Sequence, residues 1–336
     1  MRDVFFSSDG FDDRAVSQYA CAEVANYIFE ELTTPVSPII ISFVQKVLGQ
    51  VRPLGVLFYG SALREGIEAN SLLDFYIIVR HQHDWPRPWV SALWNDLLPP
   101  NVEYHEHQQQ NGQTIRAKIA ILSLAQLQSL TGPQTYNTTV WARFSQPCRL
   151  VWAKDNRAFQ QIGACIVRAC VTAAFWGAVL GPETGEASCF WEALYQQTYG
   201  VELRVEQHHR SRHLVERDKQ RYEKLLLPCW QMMRITCKTQ KNGVVSPILT
   251  PSQRKKAIRH WRLCQAVGRP LNIMRLLKAA YTFRGGAHYA VWKIQRHSHV
   301  KIVVTPFMEK HPLLAGVPLL WSLWRRGLFK RNKIKQ

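Results

Sequence analysis

Apolar residues recur at helical spacing between Asp13 and Glu31, at Val16, Ala20, Val24 and Ile28, which predicts a helix. A second apolar stretch runs from Ile39 to Leu48 and stops at Gly49. The period then changes. Val56 to Tyr59 reads as a short strand closed by Gly60-Ser61. Leu72 to Val79, LLDFYIIV, is almost continuously apolar and aromatic, as a central strand buried on both faces requires. The intervening ALREGIEANS is long enough for a turn and a short helical piece. PWVSALWNDLLPP predicts a helix stopped by Pro99-Pro100. NVEYHEH, from Asn101, and Ile115 to Leu122 predict a third and a fourth strand.

From about residue 124 onward helical patterns dominate: SLAQLQSL, 158–180, 190–200 and 215–235. The polar stretch TQKNGVVSP separates these from 251–281. There basic residues (Lys255, Arg259, Arg262) and apolar ones (Leu271, Met274, Leu277) fall at helical spacing. TFRGGAH reads as a loop and YAVWKI as a short segment beyond it; no internal repeat is evident. The pattern predicts an α+β fold in four parts. These are an N-terminal helical segment (1–50), a core of mixed strands and short helices (51–125), a helical region ending in a basic motif (126–300), and an apolar, basic C-terminal segment (301–336).

Composition narrows the partners. Apolar residues at 46% support a sizeable core and exclude wholesale disorder. Lys and Arg number 43 against 24 Asp and Glu, a formal net charge of +19. That excess favours an anionic partner, whether nucleic acid, an acidic membrane surface or a phosphorylated substrate, without choosing among them. The eight cysteines form no CxxC pair and read as buried free thiols in a reducing compartment. The first residues carry Asp3, Asp9, Asp12 and Asp13 rather than a basic start and an apolar run, so no secretory leader is expected. ACIVRACVTAAFWGAVL, Ala164 to Leu180, is marginal in length for a bilayer and contains Arg168; a buried helix is expected. PLLAGVPLLWSLW, Pro312 to Trp324, precedes Arg325, Arg326, Lys330, Arg331, Lys333 and Lys335. Tryptophan beside a basic cluster fits an interfacial membrane anchor, and a core helix with a solvated tail is the other reading.

Candidate chemistry begins at Tyr59-Gly60-Ser61 and Asp74. Nucleotidyl transfer needs backbone N–H groups to cradle a triphosphate and a carboxylate to hold Mg²⁺. A Gly-Ser at a strand end allows close backbone approach and offers a hydroxyl. Asp74 lies inside an apolar strand, where a carboxylate is costly without a metal or a partner. The common form of such a site has Asp-x-Asp, but the second position here is Tyr76. Glu103, Glu106 and Asp84 are the candidates for a second metal-binding carboxylate, with Glu103 taken first. Glu103, His105 and His107 share one face of a regular strand, and a transition-metal site or a solvated edge would explain them equally. Lys118 within IRAKIAIL calls for an anion or carboxylate nearby, a triphosphate being a natural one, or else snorkels at a sheet edge; Arg116 and Arg143 add charge. Arg275, Lys278, Thr282, Arg284, Gly285, Gly286 and Lys293 place cations around a Gly-Gly loop, as a phosphate clamp or a plain basic turn would.

Four stretches in order resemble one family. They are VLFYGSALREG with SLLDFYIIV, LPPNVEY with IRAKIAILSLAQL, WARFSQPCRLVW, and NIMRLLKAAYTFRGGAHYAVWKI. The chain resembles, over about residues 50–296, the mitochondrial-type CDP-diacylglycerol synthases (the mitochondrial translocator assembly and maintenance family), particularly their bacterial relatives. It departs from them at Arg80 and His81, where acidic residues are frequent, at Gln146 in place of lysine, and at Ala279 in place of glycine. The resemblance implies a nucleotidyltransferase-like mixed-sheet core of the polymerase-beta type followed by a mostly helical region. It implies Mg²⁺-dependent transfer of CMP from CTP to phosphatidic acid, giving CDP-diacylglycerol and pyrophosphate. Asp74, Lys118 and Ser61 would be catalytic, and Asp74 and Glu103 would hold the metal. Tyr59, Gly60, Ser61, Arg143, Arg275, Lys278 and Lys293 would bind the nucleotide. The partners implied are an acidic phospholipid surface and no nucleic acid, with a peripheral location on the cytoplasmic face of a bacterial inner membrane. A nucleotidyltransferase with another acceptor (RNA, protein or small molecule) and a non-catalytic membrane or nucleic-acid binding module are the alternatives. The oligomeric state is left open.

Overall fold

A computed structural model describes residues 11–67, 71–108, 114–201, 208–240 and 242–282 of the 336-residue chain. Two helices open it, α1 (Phe11–Thr33) and α2 (Pro38–Leu48). They are followed by β1 (Gly55–Tyr59), the one-turn α3 (Ser61–Glu65) and β2 (Leu72–Val79). A short 3₁₀ turn at Gln82–Asp84 leads into α4 (Trp89–Leu97), β3 (Asn101–Gln108) and β4 (Thr114–Ser123). After α5 (Leu124–Leu130) and α6 (Thr138–Phe144) comes β5 (Cys148–Ala153). The helices α7 (Asn156–Leu180), α8 (Ala187–Val201), α9 (His208–Arg217) and α10 (Lys219–Met232) follow. A small hairpin, β6 (Thr236–Thr239) and β7 (Val245–Ile248), precedes the long α11 (Pro251–Thr282).

The architecture is α+β: a mixed five-stranded sheet and a helical region. Strand order is β3-β4-β2-β1-β5, with β2 and β4 parallel and the other neighbours antiparallel. Alternation along each strand divides the sheet's side chains between two cores. Val56, Phe58, Leu73, Phe75, Ile77, Ile119 and Ile121 pack under α2, against Ile40, Phe43, Val44 and Leu48. Leu57, Tyr59, Tyr76, Ile78, Ala120 and Leu122 pack against the helical layer, with Trp141, Phe144, Ile162 and Ile166. This two-sided burial is why LLDFYIIV is nearly unbroken in apolar residues.

The predicted strands at 56–59, 72–79, 101–107 and 115–122 all form. β5 lies outside the expected 51–125 core and pairs with β1 at the sheet's other edge. TQKNGVVSP, read as a polar separator, is the turn and second strand of the β6–β7 hairpin. The buried-helix reading of Ala164–Leu180 holds. α7 is long and apolar enough to cross a membrane by length and composition, and 89% of its most apolar window is buried inside the fold. The cysteines are free as expected, but Cys21 and Cys189 are exposed rather than buried.

Two buried cations tie elements together. Arg221 on α10 pairs with Glu31 on α1 and donates to the Ser145 carbonyl at 2.8 Å, joining both to the turn before β5. Lys278 on α11 donates to the carbonyls of Leu98 and Pro100, and Arg275 donates to that of Pro99 at 2.9 Å. Three successive carbonyls that end α4 and lead into β3 are thus gripped from one helix. Lysine and arginine suit such a position, because helix-terminal carbonyls carry partial negative charge.

Candidate functional site

One register row crosses the whole sheet: Tyr104, Lys118, Asp74, Tyr59 and Cys148. Residues directly opposite each other point to the same face, and Tyr59 and Cys148 fix this one as the face toward the helical layer. Asp74 and Lys118 stand side by side on the two parallel central strands, about 4.8 Å apart in backbone spacing. Next to Asp74 on its other side, β1 ends at Tyr59 and the chain turns through Gly60 into Ser61, the first residue of α3.

Gly60 is what makes the turn fit. Its φ of 96° and ψ of −165° lie where only glycine is at ease. A Cβ at this position would stand 2.8 Å from Oδ2 of Asp74 and 3.3 Å from its Cβ. The backbone of residue 60 therefore lies directly against the Asp74 carboxylate, with no room for a methyl group between them.

Tyr76 shares this face and shows why Asp-x-Asp is absent. It is fully buried, with ring centroids 5.5 Å from Tyr59 and 5.0 Å from Phe144. Arg143 on α6 lies over both tyrosine rings, 5.2 Å from the Tyr59 centroid, and donates to the Tyr76 and Tyr59 hydroxyls at 3.2 and 3.3 Å. Aromatic rings and a guanidinium, not a second carboxylate, fill the position two residues beyond Asp74.

None of the three proposed partner carboxylates joins Asp74. Glu103 pairs with Ile119, one residue out of phase with the Asp74 row, so it faces α2 on the opposite side of the sheet. There its Oε1 accepts from Trp85 Nε1 at 2.9 Å and from Arg87 Nε, and its Oε2 lies 2.7 Å from His105 Nε2. Burial would raise its pKa. The His105 hydrogen bond, the Arg87 charge and the Trp85 hydrogen bond outweigh burial and hold the carboxyl at about 2. Glu106 is on the Asp74 face but two strands away, paired with Arg116 at 3.2 Å. Asp84 sits in the turn past the far end of β2 and caps the His81 N–H. His105 and His107 do share the Glu103 face, with His107 against the Phe43 ring. Among the described residues no group of three His, Cys, Asp or Glu side chains is placed to hold a metal ion.

Arg275 and Lys278, the members of the basic motif with described side-chain contacts, are not brought to this row either. Arg275 and Lys278 bind the Leu98–Pro100 carbonyls, and Pro100 is four residues, roughly 13 Å, along β3 from Tyr104. Burial, then the charges of Arg275 and Arg87, lower the Lys278 pKa to about 7. Arg284, Gly285, Gly286 and Lys293, and the 301–336 segment, lie outside the described residues.

Residues that the sequence did not single out border the Gly60 turn. Arg64 on α3 donates to Gln146 Oε1 at 3.4 Å, and Arg217, at the end of α9, donates to the Arg64 carbonyl. Asp218 follows it. Burial raises the Asp218 pKa against the lowering charges of Arg221 and Arg64. Their placement depends on α9 folding back over α3, about 150 residues away in sequence, which no local motif encodes. No family model matches the chain, and no curated protein matches it.

Proposed function

We propose that this chain is a Mg²⁺-dependent nucleotidyltransferase with a core of the polymerase-beta type. It transfers CMP from CTP to phosphatidic acid, as a peripheral protein on the acidic cytoplasmic face of a bacterial inner membrane. The observation that carries the reading is the Gly60 backbone seated against the Asp74 carboxylate, with Lys118 next in the row. Mg²⁺ shared with phosphates needs only one or two protein carboxylates, the rest of its shell being water and phosphate oxygen. Asp74 offers one, and the bare Gly60 backbone lies against its carboxylate where a side chain would collide with Oδ2, so these residues fit Mg²⁺ bound together with a triphosphate that approaches the backbone closely. When bound, the ion would neutralise charge on the phosphate oxygens.

The chain's own residues have the following roles in this reading. The Gly60-Ser61 backbone lets the triphosphate approach closely, and Ser61 offers a hydroxyl. Lys118 supplies positive charge beside Asp74. Arg143, oriented by the Tyr59 and Tyr76 hydroxyls, faces the same side and stabilises the leaving pyrophosphate. A phosphatidate oxygen attacks the α-phosphorus of CTP. The bond from that phosphorus to the bridging oxygen breaks, and pyrophosphate departs with the electron pair. The attacking phosphate monoester is largely ionised near neutral pH, so no strong general base is required.

Purified protein given Mg²⁺, labelled CTP and phosphatidic acid should form CDP-diacylglycerol. Asp74→Asn should lower the rate at least about 100-fold with its thermal melt unchanged. Folded wild-type protein that makes no such product overturns this reading, and product with a different acceptor moves the assignment to that acceptor.

A further inference from the structure

Helix α4 is built inside out. Its buried positions are polar: Ser91 accepts from Asn101 Nδ2 at 3.1 Å, and Asn95 donates to Gln82 and to the Ile121 carbonyl. Its apolar residues point away from the protein. Trp89 is 76% exposed and Leu97 70%, with Val90, Leu93 and Trp94 between them also open. An amphipathic helix ordinarily turns its apolar side inward, because burial of that side drives packing. Five large apolar side chains on one short helix form an exposed patch of the kind that marks an interaction surface.

The helix that grips the end of α4 supplies the charge. Across Pro251–Thr282 there are eight Lys and Arg and no Asp or Glu, of which Arg275 and Lys278 are taken up by the Leu98–Pro100 carbonyls. Lys255, Lys256, Arg259 and Arg262 are exposed, and three- and four-residue steps carry their stripe on to Leu263, Val267, Ile273 and Met274, all at least 40% exposed. We propose that the outward face of α4, with this stripe of α11, docks on the surface of an anionic lipid bilayer. Tryptophan and leucine enter the headgroup boundary while lysine and arginine meet the lipid phosphates.

The charges and shapes favour this occupant over two others. A second copy would bring one cationic stripe toward another, on a molecule already at +19. Nucleic acid would use the cations and stack on tryptophan, but gains nothing from Val90, Leu93 and Leu97. The inference assigns a surface to the peripheral attachment proposed above and rests on that part of the reading, but docking requires neither CTP nor Asp74.

The test is co-sedimentation of the full-length protein with vesicles of phosphatidylcholine containing about a third phosphatidylglycerol, and with phosphatidylcholine alone. Binding should require the anionic lipid. The triple variant W89S/W94S/L97S should bind at least about tenfold more weakly, and brominated lipid should quench less fluorescence in W89F/W94F than in the wild type. Unchanged vesicle binding and unchanged quenching in these variants overturn the proposal. So does a lowered melting temperature of the triple variant without lipid, which shows the face covered by the chain itself. A dimer that W89S/W94S/L97S dissociates, or tight binding to nucleic acid with no vesicle binding, also overturns it. A short-chain, monomeric phosphatidic acid in the turnover assay keeps a failure of docking separate from a failure of catalysis.

Discussion

A side chain at position 60 would reach Asp74 before anything else. Gly60→Ala combines a positive φ with a contact of 2.8 Å to a carboxylate oxygen. Gly66 also has a positive φ, of 87°, but open space around its missing Cβ. Gly60→Ala is therefore expected to cost about 2–3 kcal/mol and Gly66→Ala about 1 kcal/mol, compared by urea midpoints. At this scale the sequence was partly readable. A lone carboxylate in an eight-residue apolar strand, after a strand ending in Gly-Ser, pointed to their meeting. Tyr76 could be seen as a departure, but its service to Arg143 could not, because that needs α6 folded over the sheet. Arg275 and Lys278 were legible as a cationic pair. That they grip the Leu98–Pro100 carbonyls follows from where α4 ends, which no spacing within α11 reveals.

At the scale of elements, the phase of a strand mattered more than its existence. Alternation along NVEYHEH correctly put Glu103, His105 and His107 on one face. Which face that is, relative to Asp74, depends on the β3–β4 register, and a shift of one residue would exchange the two. Glu103 instead joins β3 to the entrance of α4 through Trp85 and Arg87. Its carboxyl is held at about 2, below the ordinary 4.5. A depressed carboxylate contributes stability that is complete above the unfolded value and is lost as pH falls through the folded one. The wild type should lose about 3 kcal/mol from this group between pH 4.5 and 2. Glu103→Gln should flatten that part of the profile, as measured by urea midpoints across the window. α4 was likewise legible as a helix, but its inverted orientation was not. Periodicity identifies a helix's apolar side and assumes that it faces inward.

Across the whole molecule, the helical region and the two-sided sheet were readable from the change of hydrophobic period near residue 124. β5 was not. CRLVWA is short, carries Arg149 and is only half-buried, because it lies at an edge of the sheet. It nevertheless decides where the sheet ends. β1 pairs with β2 close behind it, but its other side is satisfied only by a segment about 90 residues further on. Synthesis at roughly 5–20 residues per second leaves the outer edge of GVLFY unpaired for several seconds as the chain emerges. Such an edge is a template for pairing with other chains. Full-length protein with two consecutive prolines in β5, Arg149→Pro and Leu150→Pro, should accordingly scatter more light during refolding than the wild type. In this reading the plain strand that closes the sheet is a stopper, and until residue 153 has emerged the outer edge of β1 stays open to the wrong partner.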